Sequence, residues 1–486
     1  MINSQEEIIK KASILIENKK YAQANDYLLN FIKNSKTLKI NIKFYYALYL
    51  AANGLNELQN AKKYLEKCIK INNKNYIVLN NLANLYLKEG NIIEAEKNYL
   101  KSYNLKDDYL LGVVNLAIFY QNIGNLEKAK KFYHRALELS PKRISIYFNL
   151  SRIDKDYIDD SKIEYLSELM KNEKQEPAEM SYGYFLLAEH ERKKKNISLE
   201  IDYLKKANQF SFDSIKIANQ KTLNYWKNII TKKYNKFRFI NNDETNELKK
   251  FRPIFIVGLP RSGSTITEAL ISSSDKDIIS LGESSMFNGI LAKEFSDEKS
   301  TTINLGFVEN KILNIFKNKN LNFKNNIFID KSLENFFYID VILKIFPQAV
   351  FINTMRNIED NVFAIFKQSL SKLSWTHSID DILGYIDNYL KIISFFEKKY
   401  PSKIFSIHLE NITNNTENIS KEILDFCNLK WSKEILNFYD RKDLLISTAS
   451  NIQIRSGIKN YDKEKYQPYK NLLISYLEKY EWLNQK

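Results

Sequence analysis

Two rhythms of apolar residues divide the chain. Over roughly the first 210 residues, apolar positions recur every three to four residues, the spacing of one helix face. KYAQANDYLLNFIK (20–33), YALYLAANGLNELQNAKKYLEKCIK (46–70) and YFLLAEHERKKKNISLEIDYLKKAN (184–208) keep a helix–turn–helix pattern, the second with a longer turn. From residue 252 the rhythm changes to short apolar runs: Ile254 to Val257, IFI (327–329), AVFINTM (349–355) and IFSIH at the start of 404–412. A fully apolar run such as Ile254 to Val257 suits a parallel strand buried on both faces. The pattern predicts an α-helical solenoid over 1–210, a partly helical connector over 211–250, and an α/β domain with a parallel sheet and flanking helices over 251–486.

The helical part is internally repeated. NYIVLNNLANLYLKEGNIIEAEKNYLKSYNLKDD (75–108) and YLLGVVNLAIFYQNIGNLEKAKKFYHRALELSPK (109–142) are each 34 residues long. Ala83, Tyr86, Gly90, Ala95 and Tyr99 match Ala117, Tyr120, Gly124, Ala129 and Tyr133. The alanines allow two antiparallel helices to approach, the tyrosines fill the space between them, and the glycine permits the left-handed turn that ends the first helix. This period and residue order resembles the tetratricopeptide repeat. Arrays of this kind bind peptides or proteins in an extended groove and carry no chemistry of their own.

Composition narrows the classes. Only 12 Gly and 7 Pro in 486 residues exclude a collagen-like chain, a Pro/Gly linker protein and a many-stranded sandwich. At 44% hydrophobic the chain can bury large cores, which excludes global disorder. Cys68 and Cys427 alone cannot build a disulfide framework or a cysteine zinc site. The N-terminal apolar run is interrupted by charges, and no stretch of about 18 apolar residues occurs, so neither a signal peptide nor a membrane span is expected. A cytoplasmic location follows as an expectation. The net charge, 73 basic less 58 acidic or +15, comes from scattered lysines, as in KNKNLNFKNN, rather than from a nucleic-acid-binding cluster.

The stretch RPIFIVGLPRSGSTITEALISSS (252–274) carries the chemistry: an apolar strand, a Gly-containing turn, then an amphipathic helix. Backbone N–H groups and the helix dipole make such a turn an anion cradle. Gly258-x4-Gly263 has Walker A spacing, but Ser264 stands where a nucleotide triphosphatase needs Lys. Instead Arg261 lies inside the loop, and Ser262, Ser264 and Thr265 offer hydroxyls beside Gly263. A guanidinium with hydroxyls suits one phosphosulfate group without a metal ion.

The loop PRSGST resembles the 5′-phosphosulfate loop of sulfotransferases that use 3′-phosphoadenosine 5′-phosphosulfate (PAPS), and the resemblance extends over about 251–470. It is most similar to the protein-tyrosine sulfotransferase-like group, which includes bacterial members with N-terminal tetratricopeptide repeats. By this resemblance LGESSMF (281–287) supplies the base Glu283, which takes the proton of the attacking hydroxyl. IFIDKSLENFFYI (327–339) supplies Lys331, expected near the leaving phosphate oxygen. FPQAVFINTMRNIEDNVFAIFKQSL (346–370) supplies Arg356 for the 3′-phosphate, but Ala364 stands where the family usually has a serine that makes a second 3′-phosphate contact; Lys367 or Ser369 are the candidates to compensate. LISTASNIQIRSGIKNYDKEKYQPY (445–469) supplies Ser450 beside the sulfuryl group and Arg455, with Lys459, over the nucleotide; Tyr466 stands where a Trp is common. Glu410 matches a Tyr-Glu pair, with His408 in the aromatic place and therefore structural. The four histidines, His134, His190, His377 and His408, are too scattered for a metal site.

The resemblance implies sulfuryl transfer from PAPS to an acceptor hydroxyl, with protein tyrosine the family-level acceptor and a protein or peptide held by the repeats. Carbohydrate, lipid and small alcohols stay open as acceptors. Two other classes stay open as well: a P-loop NTPase or kinase, and a non-catalytic peptide-binding scaffold whose transferase domain has degenerated, to which Ala364 gives weight.

Overall fold

The computed structural model describes residues 2–34, 39–172, 174–241, 245–295, 301–319, 321–440, 457, 458 and 460–484. The chain forms two compact units, Met1–Pro141 with Asn314–Asn322, and Lys142–Leu313 with Phe323–Lys486. The helices after residue 141 are thus grouped with the sheet that follows them, whereas the helical rhythm of the sequence runs on to about 210.

The first unit is built of α1 (Ile2–Glu17), α2 (Tyr21–Asn34), α3 (Ile42–Gly54), α4 (Leu58–Ile71), α5 (Tyr76–Lys88), α6 (Ile92–Leu105), α7 (Leu110–Asn122) and α8 (Leu126–Leu139). Ala83, Ala95, Ala117 and Ala129 are wholly buried, and Tyr99, Tyr120 and Tyr133 are nearly so. Gly90 and Gly124 take φ of +77° and +83°. The next amides, Asn91 and Asn125, reach back to the Tyr86 and Tyr120 carbonyls at 2.9 Å, the six-to-one bond of a Schellman turn. The Asn91 and Asn125 side chains then cap α6 and α8, accepting from Glu94 and Lys128 amides at 3.1 Å. The turn between α3 and α4 is not longer than these. Asn56 holds the left-handed position (φ +60°) that glycine holds in the later repeats, and Glu57 N bonds Ala52 O at 2.9 Å.

The second unit opens with α9 (Ile144–Ile153), α10 (Asp160–Asn172), α11 (Pro177–Lys193), α12 (Ile197–Asp213) and α13 (Lys216–Asn224). Residues 225–250 contain a π-helical turn, short 3-10 segments and strand β1 (Arg238–Ile240). Trp226 from this stretch stacks on Phe337 at 5.2 Å, so the connector is packed into the domain core. Strands β2 (Ile254–Gly258), β3 (Ile279–Ser280), β4 (Thr302–Asn304), β5 (Phe328–Asp330), β6 (Val350–Met355) and β7 (Ile404–His408) follow. Five of them form one parallel sheet in the order β3-β5-β2-β6-β7, and β1 pairs with β4 separately. Helix α14 (Ser264–Ser272) follows β2 directly. The four strands read from apolar runs are all present. The two-residue β3 and the β1–β4 pair are too short to impose a period and were not legible.

Candidate active site

β2 is buried along its whole length and delivers the chain to the loop at Gly258, φ +134°. A Cβ there would lie 2.4 Å from the Thr354 carbonyl oxygen, so only glycine fits beside β6. Arg261 (φ +68°) and Gly263 (φ +99°) are both left-handed, and α14 begins at the next residue. Left-handed residues just before a helix N-terminus aim successive amides into one concavity, a nest for an anion. The Ser262 hydroxyl serves the loop itself: wholly buried, it donates to Leu259 O at 2.7 Å and shares a 2.8 Å hydrogen bond with the Thr354 hydroxyl. Asn361 Nδ2 donates to Pro260 O at 2.8 Å from the other side. Ser264 and Thr265 are buried at the start of α14.

Arg356 follows β6. Its Nη1 donates to the Arg261 carbonyl at 3.3 Å and its Nε to the Tyr461 hydroxyl at 3.2 Å, with the guanidinium 5.1 Å from the Tyr461 and Tyr466 ring centres. Burial opposes its charge, but the Tyr466 and Tyr461 oxygens and Asp360 outweigh this and hold the group above its ordinary value. Arg261 moves the opposite way. Burial pushes it below the ordinary value; Tyr466 pulls the other way, and weaker repulsion from Arg356 and from Arg152 on α9 adds to the burial. Two guanidiniums, those of Arg261 and Arg356, therefore meet at this loop, an accumulation of positive charge that a bound anion would relieve.

Glu283 and Lys331 come together from neighbouring strand ends. Leu281 N donates to Ile329 O at 2.8 Å and Lys331 N to Gly282 O at 2.9 Å, which prolongs the β3–β5 ladder to the two site residues. The following turn is tied down by Ser284 Oγ to Asp330 (2.5 Å), Ser285 N to Ser332 Oγ (2.7 Å) and Ser285 Oγ to Glu334 (2.6 Å). Burial raises the Glu334 carboxyl above its usual range, against the Ser285 hydrogen bond and helped by Asp330 and Glu283. The Glu283 side chain is 61% exposed; that of Lys331 is 2% exposed, with Nζ 3.8 Å from Glu283 Oε1. Lys331 Nζ is closer still, 2.7 Å, to Glu268 on α14. Sequence reasoning missed Glu268 and Arg152. Glu268 could have been found as an acid one turn into the loop helix; nothing in the α9 sequence marks Arg152.

Lys367 is engaged elsewhere. It pairs with the buried Glu200 of α12 at 2.7 Å and hydrogen-bonds Tyr469, so it is not placed to stand in for the serine missing at Ala364, which is itself buried. Glu410 accepts from Asn357 N at 2.7 Å and lies 3.9 Å from His408 Nδ1, a structural role that ties β7 to the residue after Arg356. A cleft of about 570 Å³ opens beside Arg356 rather than over Glu283, lined by Asn357, Asp360, His408, Glu410, Tyr461 and Lys463 among others. Ser450, Arg455 and Lys459 lie outside the described residues. Among the described residues no three His, Cys, Asp or Glu side chains converge as metal ligands, and no helix is long and apolar enough to cross a membrane.

In sheet order, the ends of β3, β5, β2 and β6 carry Glu283, Lys331, the Arg261 loop and Arg356. Residues 253–433 match the model of the sulfotransferase family. The chain carries a sulfotransferase-family domain at its C-terminal end. Tetratricopeptide-repeat models match 42–75, 64–97 and 113–143. An uncharacterised Aquifex aeolicus protein is 26% identical over 249 residues, 47% of this chain and 32% of that protein. The chain thus spans about a third of the length of this curated relative. Among solved structures, a sulfotransferase from Mycobacterium tuberculosis is 12% identical, covering 58% of this chain and 93% of its own, at a TM-score of 0.29. A tetratricopeptide repeat protein from Parabacteroides merdae is 16% identical over 45% of this chain and 89% of its own, at 0.34.

Proposed function

We propose that the sulfotransferase domain moves a sulfuryl group from PAPS, the donor general to its family, to an acceptor hydroxyl. The acceptor oxygen forms a bond to sulfur, the bridging S–O bond breaks, and adenosine 3′,5′-bisphosphate leaves. Glu283 takes the acceptor proton. The Arg261 loop, with Gly263, Ser264 and Thr265, holds the 5′-phosphosulfate end, and Arg356 on the adjacent strand takes the 3′-phosphate. Lys331 offsets charge at the bridging oxygen. Ser450 and Arg455 keep, by resemblance alone, their roles at the sulfuryl group and over the nucleotide. We further propose that the repeats bind a protein or peptide acceptor, with tyrosine as the accepting residue, and that the protein works in the cytoplasm, where its two buried free thiols suit a reducing medium.

The observation that carries this reading is the row of four strand ends. In open parallel α/β sheets, ligands bind outside the carboxyl ends of the strands. Here those ends bring a carboxylate, an ammonium and two guanidiniums side by side, with Arg261 held below its ordinary value by burial first and by its cationic neighbours after that. The test is donor binding. PAPS or adenosine 3′,5′-bisphosphate should raise the thermal midpoint, because a ligand that binds only the folded state stabilises it, by about 2.7 kcal/mol at a hundred times Kd. ATP with Mg²⁺ should do much less, and Arg261→Ala should weaken bisphosphate binding strongly. Equal shifts from both nucleotides would overturn the donor. Labelled PAPS incubated with lysate would then identify the acceptor.

A further inference from the structure

Lys331 is one buried ammonium between two carboxylates of unequal reach. Its Nζ lies 2.7 Å from Glu268 Oε2 and 3.8 Å from Glu283 Oε1. The second oxygen of Glu268 is also engaged: the Ser280 hydroxyl at the end of β3 donates to Oε1 at 2.5 Å. Three elements thus fix the Glu268–Lys331 pair, namely α14 directly after the phosphate loop, β3, and the end of β5. The two acids differ in access as well, since the Glu268 side chain is 16% exposed and that of Glu283 is 61% exposed. An acceptor can reach Glu283; Glu268 faces inward. The charged groups facing Glu283 are Lys331, beyond β5, and Glu334, in the turn that follows. Those facing Lys331 among the described residues are Glu268 and Glu283.

We infer that Glu268 is a positioning residue, which holds Lys331 in contact at 2.7 Å and so keeps it at 3.8 Å from Glu283 rather than at contact, leaving that carboxylate the better proton acceptor. The inference rests on the proposed role of Glu283 as base. A buried ammonium does not stay unpaired, because desolvation of an isolated charge is costly. If Glu268 loses its charge, the remaining carboxylate partner within 4.0 Å of Lys331 among the described residues is Glu283. The lysine would then close on the base. An ion pair formed at contact distance favours the ionised carboxylate and makes it a poorer proton acceptor.

The decisive measurement needs no acceptor. The protein is labelled with ¹³C at the glutamate carboxyls, the Glu283 resonance is assigned through Glu283→Gln, and its titration is followed in the wild-type protein and in Glu268→Gln. In Glu268→Gln the midpoint of the Glu283 curve should fall by roughly one pH unit, the low end of the effect of an opposite charge brought to contact. Ser280→Ala, which loosens Glu268 without removing its charge, should move the midpoint the same way by less, and Glu268→Asp should restore most of the wild-type curve. An unmoved midpoint in Glu268→Gln overturns the inference; if that variant does not fold, an unmoved midpoint in Ser280→Ala does so. Turnover separates the two ideas, read with labelled PAPS and a tyrosine peptide. A Glu283→Gln variant as active as wild type removes the base assignment, whatever the titration shows. A dead Glu283→Gln variant together with an unmoved Glu268→Gln titration removes only the role of Glu268.

Discussion

Glu283 stands where the chemistry is proposed to turn on one proton. Glu283→Gln keeps the shape of the side chain but cannot accept that proton, so turnover should fall by roughly two to four orders of magnitude. Bisphosphate affinity, which the proposal places at the Arg261 loop, should hardly change; steady-state kinetics beside a binding titration checks both halves. A different residue governs acid stability. His377 is buried with neither ring nitrogen hydrogen-bonded, edge-on to Phe212 at 5.8 Å, and burial lowers it to about 4, against a smaller pull from Asp381. Between pH 6.5 and about 4 the unfolded chain therefore binds a proton that the folded chain refuses. Stability should fall across that window as pH falls, by up to roughly 3 kcal/mol, and His377→Leu should flatten the slope. Urea midpoints at the two ends of the window decide it. The roles proposed for Glu283, Lys331 and Arg356 come only through resemblance, because an isolated acid, lysine or arginine has no spacing to betray it. The partners that hold them, Glu268, Ser280 and Tyr461, are brought near by strand pairing that no local pattern encodes.

A rule for the helical turns emerges at the scale of elements. In five of the hairpins, the residue two places before the second helix is left-handed: Lys19 before α2, Asn56 before α4, Gly90 before α6, Gly124 before α8 and Lys195 before α12. The period was readable where glycine fills that place and blurred where lysine or asparagine does, although the backbone is the same. That is why the α3–α4 turn reads as longer in the sequence, although three residues separate the helices there as they do between α5 and α6. A lysine pays a steric cost in this conformation that glycine does not. Lys195→Gly should therefore raise stability by about 1 kcal/mol, while Gly124→Ala should lower it by a similar amount. Denaturant midpoints of the two variants should move in opposite directions. In the sheet, strand type was legible from unbroken apolar runs, whereas the order β3-β5-β2-β6-β7 was not, since it depends on which run reaches which neighbour.

For the molecule as a whole, the compact units bear on where it can be cut. Glu200 of α12 is buried against Lys367 at 2.7 Å and accepts from Tyr469 at 2.7 Å, and Asn208 donates to Phe366 O at 2.9 Å. A fragment beginning near 211 would lose α12 and with it the Glu200–Lys367 pair and the Asn208 hydrogen bond, so it should melt below the longer fragment. A fragment of 142–486 keeps the pair. It should bind adenosine 3′,5′-bisphosphate like the full chain, yet act on the native acceptor with a higher KM and an unchanged chemical step. A thermal scan of the two fragments, and kinetics on the longer one, test this. The strand order has one more consequence, in time rather than in space. The helical hairpins of the first unit close over neighbours in sequence, but the row of site residues from Glu283 to Arg356 exists only once strands up to about a hundred residues apart have paired in parallel. Contacts of that separation form slowly. During refolding, helical ellipticity is expected to return well before the ability to bind nucleotide, so a newly made chain passes through a period in which its repeats are folded while its transferase site is still blind to the donor.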